Sequence, residues 1–410
     1  MSRRRKPSLP PIPRAASDDH SIAPVAARRA LWSRVAGADP LHVSGAPVPL
    51  ASARGKIENL VGYAQVPLGL AGPLVLDTSL GRRELYVPMA TTEGALVASY
   101  SRGMKLLAAG GGARARVLRR GLTQNPILVY RDAAAAERAC QTARASLARW
   151  QQLVSTTTRH GALRSVEPSV LGRRLVLQLS FSTGDAIGIN MAARAAELVS
   201  ADLEQRTKAL ERFVHGQDVE KRANARAQIE GRGRSVVADA TIPRAALRDL
   251  ARTTPEKLCA ILDSYRVGFA ELGTHNWLVQ AANGLAAVFL ACGQDLAYVG
   301  ECATGQLDFA VDPRGDLYAS VHLPALLVGT VGGGSGQGTA AECLRLMGCL
   351  GEGQADCFAE ILGATVLAGD LSLMAAFTSH EFVAAHERLG RNRPAGVPKG
   401  RKRARRKLRH

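Results

Sequence analysis

A strand that leads through a glycine-bearing loop into a helix constrains the fold of this 410-residue chain more than any other feature. Residues 174–181 alternate apolar and polar side chains, which is the period of two expected of a half-buried strand. Gly184-Asp-Ala-Ile-Gly188 follows, and the pattern beyond it predicts a helix to about residue 213. Two predicted strands and a helix precede this unit. Residues 113–213 therefore predict a compact α/β subdomain inserted in a larger domain.

The larger domain is predicted to be mostly helical and discontinuous, over residues 23–112 and 214–390, so the fold class is α/β of the α+β type. Gly110-Gly-Gly112 is a strong stop signal for the helix before the insertion. The other predicted elements are helices over 24–35, 95–109, 133–154, 278–292 and 370–389, strands over 114–118, 127–130, 235–240 and 316–323, and a turn over 121–126.

The net charge of +18 comes almost entirely from the two ends of the chain. Residues 1–14 carry five Lys or Arg and residues 391–410 carry ten, and neither stretch contains an acid. Because both stretches lack apolar periodicity, residues 1–22 and 391–410 are predicted to be disordered basic tails. A solubilising role is favoured over contact with nucleic acid or anionic lipid, and no specific nucleic-acid partner is expected.

Cysteine, histidine and hydropathy patterns exclude several classes of protein. The seven cysteines are scattered without a Cys-X-X-Cys pair, which is typical of reduced thiols in a cytoplasmic protein. The nine histidines show no metal-ligand spacing, so no metal is expected. Residues 278–292, interpreted as the most apolar segment, are too short to cross a bilayer, so no membrane span is expected.

Two side chains suggest acid and oxyanion chemistry. Glu93 lies in Pro88-Met-Ala-Thr-Thr-Glu93-Gly94, among small residues at the start of a predicted helix. An isolated carboxyl there suits a general acid, although acids also occur in first helical turns for structural reasons. Lys221 is notable because the chain has nine lysines against forty-four arginines, and a compact ammonium can stabilise an oxyanion. The alternative for Glu220-Lys221-Arg222 is a solvated surface charge run.

Two further side chains lie near predicted helix C-termini. Asp295 follows the helix over 278–292, where the dipole disfavours a carboxylate unless a cation pairs with it. His386 lies near the end of the helix over 370–389, where the dipole stabilises an imidazolium that can donate a proton. A plain surface histidine is the alternative, and His380 competes for the same role.

Two glycine-rich loops, at 184–188 and 329–338, precede predicted helices. Such loops can bring backbone N–H groups to a phosphate. Neither loop matches the dinucleotide fingerprint or a P-loop, so each alone is weak evidence for a phosphate site.

Seven motifs, in order and at compatible distances between Glu58 and Arg391, make the chain resemble the hydroxymethylglutaryl-coenzyme A (HMG-CoA) reductase family. They are Glu58-Asn-Leu-Val-Gly62 with Pro67 and Ala71-Gly-Pro-Leu74, Met89-Ala-Thr-Thr-Glu-Gly94, Thr183-Gly-Asp-Ala-Ile-Gly-Ile-Asn-Met191, Ile229-Glu-Gly-Arg-Gly233, Ala291-Cys-Gly-Gln-Asp295, Gly329-Thr-Val-Gly-Gly-Gly334 and Ala368-Gly-Asp-Leu-Ser-Leu-Met374. The lysine in a Glu-Lys-Arg loop makes the chain more similar to the eukaryotic-like class.

The resemblance implies a ferredoxin-like NAD(P)-binding small domain within 113–213. It implies a four-electron reduction of an acyl-CoA thioester, HMG-CoA, to mevalonate and CoA. NADPH is the expected hydride donor, with NADH as the alternative. A homodimer or homotetramer with shared active sites is also implied.

Matched position by position, the resemblance assigns roles to individual residues. Glu93 protonates the aldehyde oxygen, Lys221 stabilises the thioester-derived oxyanion, Asp295 couples to both, and His386 protonates the departing CoA thiolate. The implied cofactor-binding residues are Thr158, Arg159, Asp185, Gly188, Asn190, Met191 and Arg391. The implied substrate- and CoA-binding residues are Ser99, Arg102, Lys105, Arg222, Arg252 and Asn283.

The chain departs from the family where the substrate carboxylate is expected to bind. Gln124 stands in place of an arginine, and Ser264 lies about where a second lysine is expected. Three hypotheses follow: reduction of HMG-CoA, reduction of a different acyl-CoA, or a catalytically silent paralogue that serves as a scaffold or associates with nucleic acid through its basic tails.

Overall fold

The fold is built on two sheets that share one long strand. The structure is a computed structural model, and it describes residues 8–15, 18–217, 220–274 and 276–379. Its strands are β1 (Leu68–Thr78), β2 (Gly81–Ala90), β3 (Ala113–Gln124), β4 (Ile127–Val129), β5 (Ala162–Leu171), β6 (Arg174–Ser182), β7 (Glu211–Phe213), β8 (Gly233–Ile242), β9 (Gln306–Val311) and β10 (Leu317–Leu326).

The helices lie mainly around the first sheet. They are α1 (Ile22–Ala36), α2 (Leu96–Ala109), α3 (Ala133–Arg144), α4 (Leu147–Ser155), α5 (Ile189–Thr207), α6 (Ala225–Glu230), α7 (Arg244–Ala246), α8 (Pro255–Leu272), α9 (Ala281–Ala291), α10 (Val299–Cys302), α11 (Gly338–Leu346) and α12 (Ala355–Thr378). Short 3₁₀ turns cover Leu50–Ala53 and Leu296–Tyr298, and a π turn covers Leu247–Ala251.

β3 is the strand that joins the two sheets. Its residues 114–121 pair antiparallel with β8, and its residues 122–124 pair antiparallel with β6. The first sheet runs β2-β1-β3-β8-β10-β9, and the second contains β5, β6, β4 and β7, covered by α3, α4 and α5. The predicted mixed α/β class is confirmed. The predicted domain limits stay a prediction, because β3 belongs to both sheets.

Several predicted elements agree with the structure and others differ. The helix over 95–109 and the strands over 174–181, 235–240 and 316–323 correspond to α2, β6, β8 and β10. The predicted turn over 121–126 is wrong, because pairing with β8 and β6 keeps residues 121–124 extended. The helix predicted over 133–154 is two helices, because the helical conformation is interrupted at Ala145 and Ser146. The helix predicted to continue to about residue 213 ends at Thr207, because Lys208 has a left-handed backbone, and Glu211–Phe213 forms β7. The helix predicted to begin at residue 370 begins at Ala355.

The most hydrophobic long helix, α12, forms the centre of the molecule. It is apolar on all sides, and 83% of its most apolar window is buried among β3, β8, β10 and α2. By length and composition it also meets the criterion for a bilayer-spanning helix, which the sequence analysis overlooked. Burial against protein on every face is the expected environment of such a helix in a large core.

Two carboxylates inside α12 hold neighbouring elements in place. Glu360 accepts hydrogen bonds from the backbone N–H of Ser79 and Val117, at 2.9 and 3.1 Å. Asp370 accepts from the N–H groups of Val279 and Gln280, at 3.1 and 2.9 Å. Complete burial raises the pKa of Asp370 to about 7, although these bonds favour its ionised form. Asp370 thereby fixes where α9 begins.

Candidate active site

Glu93 and Asn283 lie together at the starts of two helices. Glu93 is exposed, and its Oε2 accepts a hydrogen bond from Asn283 Nδ2 at 2.9 Å. Asn283 is in the first turn of α9, which Asp370 and the Tyr100 hydroxyl hold through the backbone of Gln280. The interpretation of Glu93 as a first-turn residue is wrong. α2 begins at Leu96, because Ala95 has a left-handed φ of 69°.

Ser99 and Arg102 face the buried helix α12. The Ser99 hydroxyl lies 3.1 Å from that of Ser372, and Arg102 donates to the Ser372 hydroxyl and carbonyl oxygens at 3.0 and 2.7 Å. Lys105, one turn further along α2, is exposed. Arg252 is exposed after the π turn, which contacts both α2 and α12. The four predicted CoA-binding residues therefore lie on elements that contact one another.

Lys221 lies at the mouth of a cavity of about 620 Å³, lined by His215, Glu220, Lys221 and Arg222. Its backbone is left-handed, with φ of 61°, and its N–H donates to Glu301 Oε2 at 2.9 Å. Its Nζ lies 5.3 Å from the centroid of the Tyr298 ring. Lys221 is nevertheless exposed, so both its catalytic role and the alternative of a surface charge run stay predictions.

Asp295 begins the 3₁₀ turn that ends at Tyr298. Its carboxylate accepts the N–H of Ala297 at 3.0 Å and so caps the start of that turn. The predicted conflict with a helix dipole is wrong, since Asp295 lies at a helical N-terminus, where a carboxylate is stabilised. Its charge also helps to raise the pKa of Tyr298, after burial and Glu220. Asp295 and Lys221 thus both lie close to Tyr298.

A buried ion pair lies next to Tyr298 and Lys221. Together with Glu220, its two residues form a buried cluster around Tyr298. Arg232 and Glu301 have side chains 2% and 1% exposed, and Arg232 Nη1 donates to both Glu301 oxygens at 2.9 Å. Burial raises the pKa of Glu301 despite the Arg232 charge. Arg232 Nη2 lies 3.4 Å from Glu220 Oε1, an ion-pair contact without hydrogen-bond geometry.

Glu220 is engaged from two sides. Its Oε1 accepts from Gln124 Nε2 at 2.7 Å, and its Oε2 accepts from the Tyr298 hydroxyl at 2.9 Å. Gln124 is therefore in the same cluster as Lys221, whereas Ser264 is exposed on α8 and donates to the carbonyl of Ala260. Sequence reasoning missed Tyr298, Glu301 and Arg232, and only the motif around Arg232 offered a signal.

The two glycine-rich loops contact each other. The carbonyl of Asp185 accepts the N–H of Thr330 at 2.8 Å, and a Cβ on Gly329 would lie 2.9 Å from that carbonyl oxygen. The Asp185 carboxylate accepts N–H groups of Gly353 and Ala355 at 2.8 and 3.1 Å, and so caps α12. Because the two loops contact each other, the two weak sequence signals for a phosphate site lie on one surface.

Arg234 is a further residue that sequence reasoning missed. It is 6% exposed and donates to the carbonyl oxygens of Gly184 and Val328, at 2.6 and 2.9 Å. Its Nε also donates to Asp356 at 2.8 Å. Arg234 therefore fastens both glycine-rich loops to the start of α12.

The N-terminus of α5 offers a place for a phosphate. Gly188 precedes the helix with φ of 83°, and as the N-cap residue it has no side chain to bond to the N–H groups of the first turn. Asn190 is exposed there, and a Cβ on Gly161 would lie 2.5 Å from the Met191 methyl carbon, so the loop that contains Gly161 packs against the helix start. Thr158 holds this loop by accepting the N–H of Gly161 at 3.2 Å. Arg159, in the same loop, is exposed.

His386, Arg391 and the competing His380 lie outside the described residues. Within the described ranges, no group of three or more His, Cys, Asp or Glu side chains is arranged to hold a metal ion. The predicted catalytic residues above fall into two groups: Glu93, bonded to the predicted substrate-binding residue Asn283, and Lys221 and Asp295, which both lie near Tyr298.

The sequence as a whole is similar to reductases of known type. The family model described as hydroxymethylglutaryl-coenzyme A reductase matches residues 24–391. A 3-hydroxy-3-methylglutaryl-coenzyme A reductase of Pyrococcus abyssi is 39% identical over 345 residues, which are 82% of this chain and 84% of that protein. The Haloferax volcanii protein of the same name is 40% identical over 372 residues, 89% of this chain and 92% of its own.

The fold is also similar to that of solved structures. The class II 3-hydroxy-3-methylglutaryl-CoA reductase of Streptococcus pneumoniae, solved bound to NADPH in open conformations, superposes with a TM-score of 0.71. It covers 85% of this chain and 96% of its own, at 22% identity, so the likeness concerns the fold. The eukaryotic-like class assignment stays a prediction. The family match over most of the chain and the identity to the archaeal proteins place this chain in the hydroxymethylglutaryl-coenzyme A reductase family.

Proposed function

We propose that the protein reduces HMG-CoA to mevalonate and CoA with NADPH. The observation that carries this is membership of the family with Glu93, Lys221 and Asp295 all present, two of them beside one buried cluster. The first reduction consumes one hydride and one proton and converts the thioester to an aldehyde and CoA thiol. The second consumes another hydride and proton and gives the primary alcohol. Two NADPH molecules supply the hydrides.

Each proposed catalytic side chain is assigned to one step of the reduction. The Lys221 ammonium stabilises the oxyanion that forms when hydride reaches the thioester carbonyl. Glu93 donates the proton that the aldehyde oxygen takes, and the Asn283 amide at 2.9 Å orients that carboxyl group. Asp295 couples to both groups, and His386 protonates the CoA thiolate as it leaves. CoA lies along Ser99, Arg102, Lys105 and Arg252, and Arg222 contacts the substrate.

The nucleotide is proposed to bind at the start of α5. The uncapped N–H groups after Gly188 suit a pyrophosphate, because a helix N-terminus carries a partial positive charge. Thr158, Arg159, Asn190 and Met191 surround that helix start, with Asp185 at the base of the loop and Arg391 contributing from the C-terminal region. NADH is the alternative donor.

The protein is proposed to act in the cytoplasm as a homodimer or homotetramer. Large apolar side chains are exposed in the N-terminal segment and on α8, for example Val61 at 104%, Val267 at 72% and Leu272 at 79%. We propose that a second copy covers them, and that the Glu93 group of one subunit and the Lys221 group of its partner form a shared active site. All seven cysteines are free thiols, which agrees with a reducing compartment.

Oxidation of NADPH with a panel of CoA esters tests the proposal. HMG-CoA is expected to be consumed with two NADPH oxidised per mevalonate formed. A different acyl-CoA is the second candidate, because the Gln124 amide is already bonded to Glu220 at 2.7 Å instead of facing a substrate carboxylate. Faster turnover of an ester without a terminal carboxylate would favour that candidate. No turnover of any thioester, with RNA retention lost on truncation after Arg391, would favour a silent paralogue.

Gly188→Ala is expected to raise the KM for NADPH about tenfold, with the KM for HMG-CoA unchanged. The new Cβ would lie 2.4 Å from Thr183 Cγ2 and would displace the loop before α5. Gly172→Ala is the matched control, because Gly172 has φ of 59° but no atom within 4 Å of its Cβ position. Steady-state kinetics distinguish them. An equal NADPH KM in the two variants would contradict a nucleotide site at α5.

A further inference from the structure

We propose that Tyr298 is a positioning residue for Lys221, holding the ammonium at the place where the oxyanion forms. This inference rests on the proposed function, in which Lys221 stabilises that oxyanion. Tyr298 does not match any motif quoted for the family, and its contacts alone point to this role.

The first observation is the contact between the ring and the ammonium. Tyr298 is 2% exposed, and its ring centroid lies 5.3 Å from Lys221 Nζ. A cation within about 6 Å of an aromatic face is attracted to it, more strongly where water is excluded. The long lysine side chain, which otherwise has several rotatable bonds of freedom, therefore has a preferred place over the ring.

The second observation is that the Tyr298 hydroxyl bonds to the side chain of Glu220, the residue before Lys221. It donates to Glu220 Oε2 at 2.9 Å, and Gln124 donates to the other oxygen at 2.7 Å. The N–H of Lys221 itself donates to Glu301 at 2.9 Å. Hydrogen bonds thus hold the Glu220 side chain and the N–H of Lys221, while the ring contacts the Lys221 ammonium.

The third observation is that one short turn connects Tyr298 to Asp295, a second proposed catalytic group. Asp295 caps the start of the Leu296–Tyr298 turn, and Tyr298 ends it. A displacement of Tyr298 therefore changes the place of Lys221 relative to Asp295. Misplacing a catalytic group by about 1 Å can cost about 100-fold in rate, so loss of the positioning of Lys221 by Tyr298 should be measurable.

Two variants separate the ring from the hydroxyl. Tyr298→Phe keeps the aromatic face and loses the bond to Glu220, whereas Tyr298→Leu loses both. Tyr318→Leu is the matched control, since Tyr318 is a partly buried tyrosine on β10, paired with Thr241 and Ala310 away from the proposed site. If Tyr298→Leu does not fold, Tyr298→Met replaces it, because the flexible Met side chain fills irregular space. Melting temperature is recorded for every variant.

The expected result is a kcat for HMG-CoA about tenfold lower in Tyr298→Leu than in the wild-type protein. The KM values for HMG-CoA and NADPH are expected to stay within about twofold of wild type. Tyr298→Phe is expected to retain kcat within about threefold. Equal kcat values in the Phe and Leu variants, or a raised KM in place of a lowered kcat, would overturn the proposal. The proposal would also be overturned if the loss of kcat in Tyr298→Leu were explained by a lower melting temperature to the same extent as in Tyr318→Leu. If the wild-type protein does not turn over HMG-CoA, the proposed function is overturned, and this inference with it.

Discussion

Lys221→Ala is expected to lower kcat for HMG-CoA by at least about 10²–10³-fold, because one preorganised donor to an oxyanion contributes that much. Arg222 lines the same cavity but does not replace Lys221, because it is a planar guanidinium whose Nη1 donates to the Glu220 carbonyl at 3.0 Å. Single-turnover reduction of the thioester with NADPH is the measurement. Wild-type turnover by Lys221→Ala would reject the assigned role.

Lys208→Ala provides the control for this experiment. Lys208 also has a left-handed backbone, with φ of 55° against 61° for Lys221, so both variants lose one charge at a residue of similar backbone conformation. Co-expression of Lys221→Ala with Glu93→Gln tests whether sites are shared. If Glu93 of one subunit serves Lys221 of its partner, mixed dimers regain one intact site and total activity returns to about a quarter of the normal value. Complete inactivity of the folded mixed dimers would indicate that one subunit supplies both residues.

Arg232→Ala is expected to lower the free energy of unfolding by about 3–5 kcal/mol, because it leaves the Glu301 carboxylate buried without its cation. Urea titration measures this loss. Arg244→Ala is the control, because the ion pair of Arg244 with Glu256 is exposed and should contribute less than about 1 kcal/mol. Arg232→Met combined with Glu301→Gln removes both charges and is expected to recover most of the loss.

The pH dependence of this effect follows from Glu301. Burial raises its pKa above the ordinary value of 4.5, and removal of Arg232 raises it further. An acid with a raised pKa in the folded state contributes stability below its unfolded pKa and loses it as pH rises through the folded pKa. The Arg232→Ala deficit should therefore be larger at pH 7.5 than at pH 5.5. A deficit that does not change with pH would mean that packing, and not the unpaired carboxylate, causes the loss.

Local pattern was sufficient for some elements and insufficient for others. The apolar pattern over 174–181 correctly predicted the strand β6, but not its burial, since residues 175–179 are buried on both faces of the sheet. The turn predicted at 121–126 was wrong because β6, more than fifty residues away in sequence, keeps the end of β3 extended. α12 was under-predicted, because a helix buried on all sides has no polar face to mark its period.

The sequence by itself determined the family and the identities of Glu93, Lys221 and Asp295, because their motifs are short and continuous along the chain. Only the tertiary structure decided that Tyr298, Glu301 and Arg232 form the surroundings of Lys221, and that Gln124 bonds to Glu220. It also decided that Asp295 caps a turn instead of opposing a helix dipole. The physical reason is that hydrogen bonds, ion pairs and ring contacts depend on distances between residues far apart in the chain, and no local pattern carries those distances.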